Sequence, residues 1–527
     1  MKFTRVLAAV SAAALVGVAV PAAGVSRLEA DAPRTSTTAA AAQGDSVLHR
    51  YAADTWRSLE AMVVPKTGLP TDNVGGALRP GSRADYTSPT NIGGYLWSTV
   101  AARDIGLIGA KEARTRMSRA IAAVAKLEKH EPSGQFYNWY DPTSLEKLTT
   151  WPESGDPVKP FMSSVDNGWL ATGLLLAARA EPRLAKRANA IRTDMDFGCY
   201  YNAAEGQGGQ IRGGFWDEDH QDPADVPGDY CGMGTDVWYT GHHYGAFNTE
   251  PRIASYLGIA AGQIPQKHYF GTFRTFPGDT CGWDWTEAKP TGEWRTYEGV
   301  DVYEGALDYR GMKVVPTWGG SMFEALMVPL FVPEERWGKR SWGVNHPLYV
   351  RAQIEHGLRE AKYGYWGFSP SNNPAGGYRE YGVDALGLDG AGYTTDQERT
   401  DWDQPWPECD RPGEPAPTAT DYGDGVVTPH ASFLALRYAP RASLANLAKL
   451  RADFDAYGPG GFYDAIAVKS GQVSQRYLSL DQGMVMAALG NALAGDDMRD
   501  YVAGPMKDSL RPLMRQEVFS AAKRGQG

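Results

Sequence analysis

The chain has 527 residues, of which 43% are hydrophobic, 11% aromatic and 22% charged, a composition that is typical of globular proteins and excludes a disordered or fibrous chain. Its 52 Lys and Arg residues against 62 Asp and Glu give a formal charge of −10, which excludes nucleic acid as an expected partner because nucleic acid is bound through clustered cations. The 61 Gly and 34 Pro residues predict a globular body with many long loops.

The N-terminus has the pattern of a secretory signal peptide. Lys2 and Arg5 precede an apolar run over residues 6–20, and small residues follow at 21–23. We expect residues 1–24 to be removed on export, which predicts a secreted protein with no membrane partner after cleavage. The alternative is an uncleaved anchor, although the apolar run is short for a bilayer span.

The segment after the signal is rich in Ala, Thr and Ser and has no periodicity, which predicts a flexible leader over residues 25–44. A single folded domain is expected over residues 45–527. Apolar residues there first recur at helical spacing over 47–59, 92–100 and 117–124. Ser88 and Pro89 supply a capping hydroxyl and a first-turn proline for the second of these helices. Further helices are expected over residues 167–180, 182–195, 250–261, 321–327, 347–362, 430–438, 444–455 and 480–494.

About a dozen helices, separated by loops rich in Gly, Pro and Trp, predict an all-α fold. Few segments show the alternating pattern of a strand. A helical barrel whose loops build a cleft accommodates these helices. An α-solenoid is the alternative architecture, but no repeat of 20–50 residues is found.

Four cysteines, Cys199, Cys231, Cys281 and Cys409, are widely spaced and lack the paired spacing of a zinc site. In an exported chain they predict two disulfides, with three pairings possible. The alternative is four buried thiols.

Several loops place aromatic rings beside carboxylates and small polar groups, which suits sugars because a pyranose offers an apolar face and hydroxyls. The alternative for any one of these loops is that its rings are core and its acids are solvated. The loops are residues 136–141, 283–285, 366–369 and 378–381.

Six longer strings carry a family resemblance. In chain order they are SPTNIG at 88–93, FYNWYD at 136–141, SVDNGWL at 164–170, TEPRIASYL at 249–257, TWGGSMFE at 317–324 and LDQG at 480–483. Together they resemble the glucoamylase-like domain of cyclic β-1,2-glucan synthases (glycoside hydrolase family 189) and the related endo-β-1,2-glucanases of family 144, over residues 45–494.

The resemblance implies an (α/α)6 barrel with long loops that form a cleft, and an enzyme that cleaves a β-linked glucan, β-1,2-glucan above all, with inversion at the anomeric carbon. It implies no cofactor, and a polysaccharide or oligosaccharide as the partner. The synthases also carry glycosyltransferase and phosphorylase modules that this sequence lacks, so we expect hydrolysis, with transglycosylation as the second option. A non-catalytic glycan-binding protein, or an enzyme of the same fold acting on another envelope polysaccharide, are the alternatives.

Glycoside hydrolysis requires one carboxylic acid and one carboxylate. The resemblance places an essential glutamate at Glu250, our candidate general acid, although a plain helix N-terminal acid is the alternative. A helix N-terminus lowers a carboxyl pKa, so burial or another acid would have to compensate. Asp166 is the candidate base or water-positioning residue, and a substrate-binding acid is its alternative. Ser163 stands where the hydrolase relatives have Asp.

The predicted substrate-binding residues fall into two groups. Tyr137, Trp139, Trp318 and Trp366 are the expected sugar platforms. The reserve acids, expected to bind sugar hydroxyls, are Asp141, Glu324, Glu380 and Asp481.

No metal is predicted. The acidic segment 216–236 lacks the calcium-loop pattern and is expected to be a solvated loop. The adjacent His242 and His243 would point in different directions in regular structure.

Overall fold

The structure, a computed structural model, describes residues 34–219, 221–278, 280–281, 286–388 and 404–522, without the side chains of 34–43 and 522. Of the described residues, 45–522 belong to one compact unit and 34–44 to another. The predicted signal peptide lies outside the described residues. The first helix begins at Arg34, so residues 34–44 of the predicted leader are helical.

Helices dominate the described chain, and most lie where the apolar periodicity predicts them. None of the helices within the described ranges is both long and apolar enough to cross a bilayer. The helices are α1 Arg34–Met62, α2 Pro89–Asp104, α3 Ala110–Val124, α4 Ser164–Ala180, α5 Ala185–Asp194, α6 Arg252–Ala260, α7 Met322–Leu326, α8 Glu334–Trp337, α9 Trp342–Glu355, α10 Pro429–Leu434, α11 Pro440–Asp453, α12 Ser479–Leu493 and α13 Asp497–Gln516.

Short strands lie between the helices, so the expectation of an all-α chain is corrected. Each strand spans two to four residues, too few to show an alternating pattern in the sequence. They are β1 Asn73–Gly75, β2 Lys129–His130, β3 Gln135–Phe136, β4 Phe161–Ser163, β5 Tyr201–Asn202, β6 Gln210–Ile211, β7 Gly214–Trp216, β8 Val226–Asp229, β9 Asp236–Tyr239, β10 Trp294–Tyr297, β11 Val300–Tyr303, β12 Leu307–Tyr309, β13 Met312–Val314, β14 Thr317–Trp318, β15 Ser371–Asn372, β16 Tyr378–Arg379, β17 Gly387–Leu388, β18 Val426–Val427, β19 Tyr457–Gly458, β20 Gly461–Phe462, β21 Ala465–Ala467, β22 Gln472–Ser474 and β23 Arg476–Leu478.

The strands form small sheets of two to four strands. The largest has the order β4-β7-β9-β8 and is antiparallel throughout. Strand β1 pairs with β23, which joins two segments about 400 residues apart in the chain. These sheets connect loops at the helix ends rather than forming a separate layer.

Helix α2 packs against α4 and α12. The two glycines Gly93 and Gly173 permit the approach of α2 to α4, because a Cβ at Gly93 would lie 2.4 Å from the carbonyl oxygen of Trp169. On the other side, the indole N–H of Trp97 donates to the carbonyl of Gly483 in α12 at 2.9 Å. Any side chain at Gly93 would therefore push α4 away and displace Trp169.

The predicted start of α2 is confirmed. Ser88 is its N-cap, the Ser88 hydroxyl accepts the backbone N–H of Asn91 at 3.1 Å, and Pro89 occupies the first turn. Helix α13 was not predicted. It buries an apolar face that includes Met498, Val502 and Leu510, although it contains two prolines.

The cysteines form two disulfides, Cys199–Cys231 and Cys281–Cys409, which confirms the expectation of two bridges. Asp196 lies close to the first bridge. Because both sulfurs there are covalently paired, that group offers no thiolate to a metal ion.

Candidate active site

A cleft of about 720 Å³ opens among the described residues. Its walls come from the segment before β1, the first turns of α2 and α4, the β15–β16 hairpin and β23. Glu250, just before α6, completes them. The polar residues that line it include Asp72, Asn91, Thr90, Glu153, Asp166, Glu250, Asn372 and Arg476.

Glu250 lies two residues before α6, half-buried in this cleft. Burial raises the pKa of its carboxyl well above the usual value, and the nearby charges of Glu324 and Asp166 raise it further. The indole N–H of Trp169 donates to Glu250 Oε2 at 2.8 Å and opposes this shift. Burial and neighbouring acids therefore supply the compensation that a general acid near a helix N-terminus requires.

Glu324, in α7, lies directly beside Glu250. Its Oε2 accepts the backbone N–H of Glu250 at 2.6 Å, and the Ser321 hydroxyl caps the helix by accepting the N–H of Glu324. Burial raises the pKa of Glu324 to about 7, and the exposed Glu380 contributes to the rise. Glu250, Glu324 and Glu380 thus form one acidic cluster.

Arg252 connects the chain segments that carry Glu250 and Glu324. Its guanidinium donates to the carbonyl of Thr249 at 2.6 Å and to the carbonyl of Glu324 at 2.9 Å. The same group forms a buried ion pair with Glu334, 2.8 Å between Nε and Oε1. Arg252 therefore fixes the relative position of the backbones that carry Glu250 and Glu324.

Asp166 lies in the first turn of α4. Its backbone N–H donates to the hydroxyl of Ser163, the N-cap of that helix, at 3.2 Å, and its Oδ1 accepts the hydroxyl of Thr90 at 2.6 Å. Burial raises the pKa of Asp166, and the charge of Asp72 adds to the rise. The Ser163 that replaces the hydrolase-type Asp thus orients the helix start.

Asp72 was missed by sequence reasoning. Its Oδ1 accepts the side-chain amide of Asn91 at 2.8 Å and its Oδ2 that of Asn73 at 2.9 Å. Burial raises the pKa of the Asp72 carboxyl. The hydrogen bonds from Asn91 and Asn73, and a further one from Tyr86, partly offset this rise. Only Asn91 lay in a motif, whereas the residues around Asp72 have no distinctive pattern.

Among the predicted platforms, Trp139 lines the cleft. It packs edge-on against Tyr86, with ring centroids 5.5 Å apart, and both rings contact Trp151. Tyr86 also lines the cleft. These three rings form an aromatic cluster in the wall beside Asp72.

The other predicted platforms are not among the residues that line the cleft. Tyr137 is buried, and its hydroxyl donates to Asp217 at 2.6 Å. Trp366 is buried with its backbone bonded to the Asn446 side chain, and Trp318 is half-buried in β14. The string at 283–285 lies outside the described residues.

None of the four reserve acids, Asp141, Glu324, Glu380 and Asp481, is among the residues that line the cleft. Asp141 organises its own turn, since its Oδ1 accepts the N–H groups of Thr143 at 2.6 Å and Ser144 at 3.1 Å. Asp481 is buried in α12 beside His430, with 3.2 Å between Oδ2 and Nδ1.

Two family models match the chain. The Glycoamylase model matches residues 286–496. DUF3131, a family of unknown function, matches residues 50–219. The catalytic candidates thus divide between regions, with Asp166 in the second match, Glu324 in the first and Glu250 between them.

Among curated proteins, the cyclic β-(1,2)-glucan synthase of Rhizobium meliloti is 25% identical, over 89% of this chain and 18% of the synthase. The chain therefore spans less than a fifth of the length of that relative.

Solved structures share the fold. The endo-β-1,2-glucanase of Chitinophaga pinensis has a TM-score of 0.57 at 16% identity, covering 89% of this chain and 98% of that chain. The endo-β-1,2-glucanase of Talaromyces funiculosus has a TM-score of 0.57 at 12% identity, covering 87% and 86%. The chain is thus similar in sequence to a cyclic β-1,2-glucan synthase and in fold to endo-β-1,2-glucanases, which confirms the resemblance that its motifs predict.

Proposed function

We propose that the chain is a secreted, inverting glycoside hydrolase with an (α/α)6 barrel, which cleaves β-1,2-linked glucan. The observation that carries the proposal is the pairing of Glu250, a carboxyl in surroundings that favour its protonated form, with Asp166 in one sugar-sized cleft. The endo-β-1,2-glucanase relatives, solved with sophorotriose and glucose or with sophorose, support the choice of glycan.

Glu250 is the general acid in this proposal. It donates its proton to the glycosidic oxygen as the bond between that oxygen and the anomeric carbon breaks. The raised pKa favours the protonated form of Glu250, which the acid role requires.

Asp166 is the proposed base. A water molecule adds to the anomeric carbon from the face opposite the leaving group, and one of its protons passes to Asp166, directly or through a hydroxyl relay. The hydroxyl of Thr90 donates to Oδ1 and orients the carboxylate that accepts that proton. The raised pKa makes Asp166 a stronger base wherever it is ionised.

The proposed sugar contacts follow from the cleft walls. Trp139 and Tyr86 present ring surfaces for the apolar faces of pyranose units. Asp72 and Arg476, both lining the cleft, offer charged acceptor and donor groups to the sugar hydroxyls.

Secretion is proposed from the sequence of residues 1–24. The two disulfides support it, because such bridges persist in oxidising compartments.

The deciding experiment incubates the secreted protein with linear β-1,2-glucan and a panel of other glucans, and separates the products by chromatography over time. Short β-1,2-oligosaccharides are the expected products, with the opposite anomeric configuration when followed by NMR. Release of oligosaccharides from another polymer instead would leave the roles of the two acids standing and refute β-1,2-glucan as the substrate.

Glu250→Gln is the matched inactive variant. Gln retains an oxygen that can accept the Trp169 indole N–H, so we expect normal folding. The rate should fall about 1,000-fold or further below that of the wild type. Near wild-type turnover in a folded Glu250→Gln protein would refute the acid assignment. If the wild type turns over no glucan, and Glu250→Gln binds glucan as tightly as the wild type does, the chain is a binding protein instead.

A further inference from the structure

One hairpin forms part of the cleft wall. Strands β15 and β16 pair antiparallel, and residues 372–374 and 376–378 line the cleft. The connecting turn is closed by the N–H of Asn373 donating to the Gly377 carbonyl at 2.7 Å, and Gly376 and Gly377 adopt positive φ angles of 110° and 80°. The turn therefore holds Tyr378 in a defined place at its end.

Tyr378 is the aromatic residue of this hairpin. Its side chain is 46% exposed, a large fraction for an apolar ring. It lines the same cleft as Glu250. A phenol is protonated at neutral pH, so the Tyr378 hydroxyl can donate a hydrogen bond to a sugar in this cleft.

The hairpin is anchored at its base by one buried carboxyl. The backbone N–H of Asn372 donates to Asp464 Oδ2 at 2.6 Å, and the Asp464 side chain is 2% exposed. A buried acceptor at this distance fixes β15 firmly, because losing its partner would leave a desolvated polar group unpaired.

Asp464 is itself held by Asp481. Among the described residues, no N–H or neutral hydroxyl bonds to Asp464 Oδ1 or to either oxygen of Asp481, yet the two carboxyl groups interact as hydrogen-bonding neighbours. Two buried carboxyls in contact must share a proton. Burial and the charge of Asp481 raise the pKa of Asp464 well above its usual value, and burial raises that of Asp481 to about 7.

His430 lies next to Asp481. Burial lowers the His430 pKa to about 4, so its ring is neutral. Its Nε2 lies 2.9 Å from the Ser369 hydroxyl, and its Nδ1 lies 2.9 Å from the Thr428 hydroxyl and 3.2 Å from Asp481 Oδ2. Ser369 also accepts the backbone N–H of Phe323, next to Glu324, at 3.1 Å. The buried pair is thus connected to the cleft on both sides.

We propose that the carboxyl pair Asp464–Asp481 sets the position of the β15–β16 hairpin, and that the hairpin presents Tyr378 as a sugar-contacting, specificity-determining residue in the same cleft as Glu250. The inference rests on the proposed glucan cleft. In it Asp464 is a positioning residue that acts through the hairpin, and Asp481 supports Asp464 rather than contacting substrate.

The hairpin half is tested without any substrate. Asp464→Leu removes the acceptor of the Asn372 N–H, whereas Asp464→Asn keeps a carbonyl oxygen for that N–H and an amide that can donate to Asp481. We expect hydrogen exchange in a peptide covering residues 371–379 to be about tenfold faster in the Leu variant and near wild type in the Asn variant. Equal exchange in the wild type and the folded Leu variant would overturn the positioning role.

A second pair of variants covers the case in which the Leu variant does not fold. Asn372→Pro deletes the same N–H from the hairpin side and leaves the buried pair intact. Asn372→Ala keeps the N–H and removes only the side chain. Faster exchange of the hairpin in the Pro variant alone supports the anchor, and equal exchange in the two contradicts it.

The sugar half is tested by calorimetry in the Glu250→Gln background, with a β-1,2-gluco-oligosaccharide of defined length. We expect Tyr378→Ala and Asp464→Leu each to weaken binding by about tenfold, and the combination to be no weaker than Tyr378→Ala alone, because both act through one contact. Additive losses would overturn the role of Tyr378. If the Glu250→Gln parent binds no β-1,2-glucan, the proposed substrate fails, while the exchange result still decides the anchor.

Discussion

The carboxylate of Glu324 accepts the backbone N–H of Glu250 at 2.6 Å, so the proposed acid has a second acid bonded to its own main chain. Because burial places the pKa of Glu324 at about 7, its charge changes near neutral pH. The charge of Glu324 in turn raises the pKa of Glu250. The protonation of the two groups is therefore linked.

Replacing Glu324 by Gln tests this linkage. Gln still accepts the Glu250 N–H but carries no charge, so the pKa of Glu250 falls. A general acid works only while protonated, and its activity is lost as pH rises through its pKa. We expect the alkaline limb of the kcat/KM profile to move to lower pH. Glu112→Gln, at an exposed position in α3, is the matched control, and an unchanged limb in both variants would contradict the linkage.

Trp169→Phe is expected to have the opposite effect. It deletes the indole N–H that donates to Glu250 and lowers its pKa, so the alkaline limb moves to higher pH. Stability falls by about 1–3 kcal/mol, since the smaller ring leaves a void in the core. Trp342→Phe, which removes another buried indole donor bonded to Tyr269, should lose stability without moving the limb. A shift of Trp169→Phe to lower pH would refute this account of Glu250.

Trp139→Ala should weaken substrate binding. Loss of the ring in the cleft wall is expected to raise KM about tenfold with little change in kcat, because stacking contributes about 1 kcal/mol beyond the buried area. Trp294→Ala removes a ring that is 54% exposed and is not among the cleft-lining residues, so its kinetics should match the wild type. Equal KM values for the two variants would exclude Trp139 as a platform.

Arg252→Met should destabilise the fold and lower activity together. Burial alone would raise the pKa of Glu334, but the charge of Arg252 and the bond from His346 lower it to about 2. The variant leaves this buried carboxylate with only the Tyr256 hydroxyl and the His346 ring as partners and without its guanidinium. We expect a loss of about 3–5 kcal/mol in denaturant unfolding. In the wild type this contribution is present above the ordinary Glu pKa of 4.5 and disappears as pH falls towards 2.

The control for Arg252→Met is Arg359→Met, which breaks the pair between the exposed Arg359 and Glu355. That change should cost less than about 1 kcal/mol, because water screens the exposed guanidinium and Arg310 remains near Glu355. Similar losses of unfolding free energy in the two variants would mean that the Arg252–Glu334 pair stabilises the fold no more than a surface ion pair does.

Local signals were sufficient for much of the helical framework. Ser88 and Pro89 marked the start of α2 because capping needs only neighbouring residues. Helix α13 escaped prediction because Pro505 and Pro512 interrupt it, and a proline normally ends a helix. Its apolar residues at 498, 502, 506 and 510 nevertheless follow helical spacing, a signal that could have revealed it.

The site was less predictable, because a side chain's direction depends on distant packing. Trp139 and Trp366 both lie in loops with nearby polar residues, yet Trp139 lines the cleft and Trp366 is buried. Asp72 joins the site through Asn91 and Tyr86 rather than through a motif. Tyr378 belongs to the aromatic string at 378–381, but its place in the cleft depends on the hydrogen bond that holds its hairpin to Asp464, 86 residues further along the chain.

The pairing of β1 with β23 has a consequence for biosynthesis. Asn73 lies opposite Leu478, and the Arg476 guanidinium donates to the Asn73 side chain. This wall of the cleft therefore cannot close until nearly the whole chain has emerged from the ribosome, and for an exported protein until it has crossed the membrane. Pairing over such a separation is slow, because the chain between must first be ordered. A chain truncated before β23 would retain Asp166 and Glu250 yet lack this wall of the cleft.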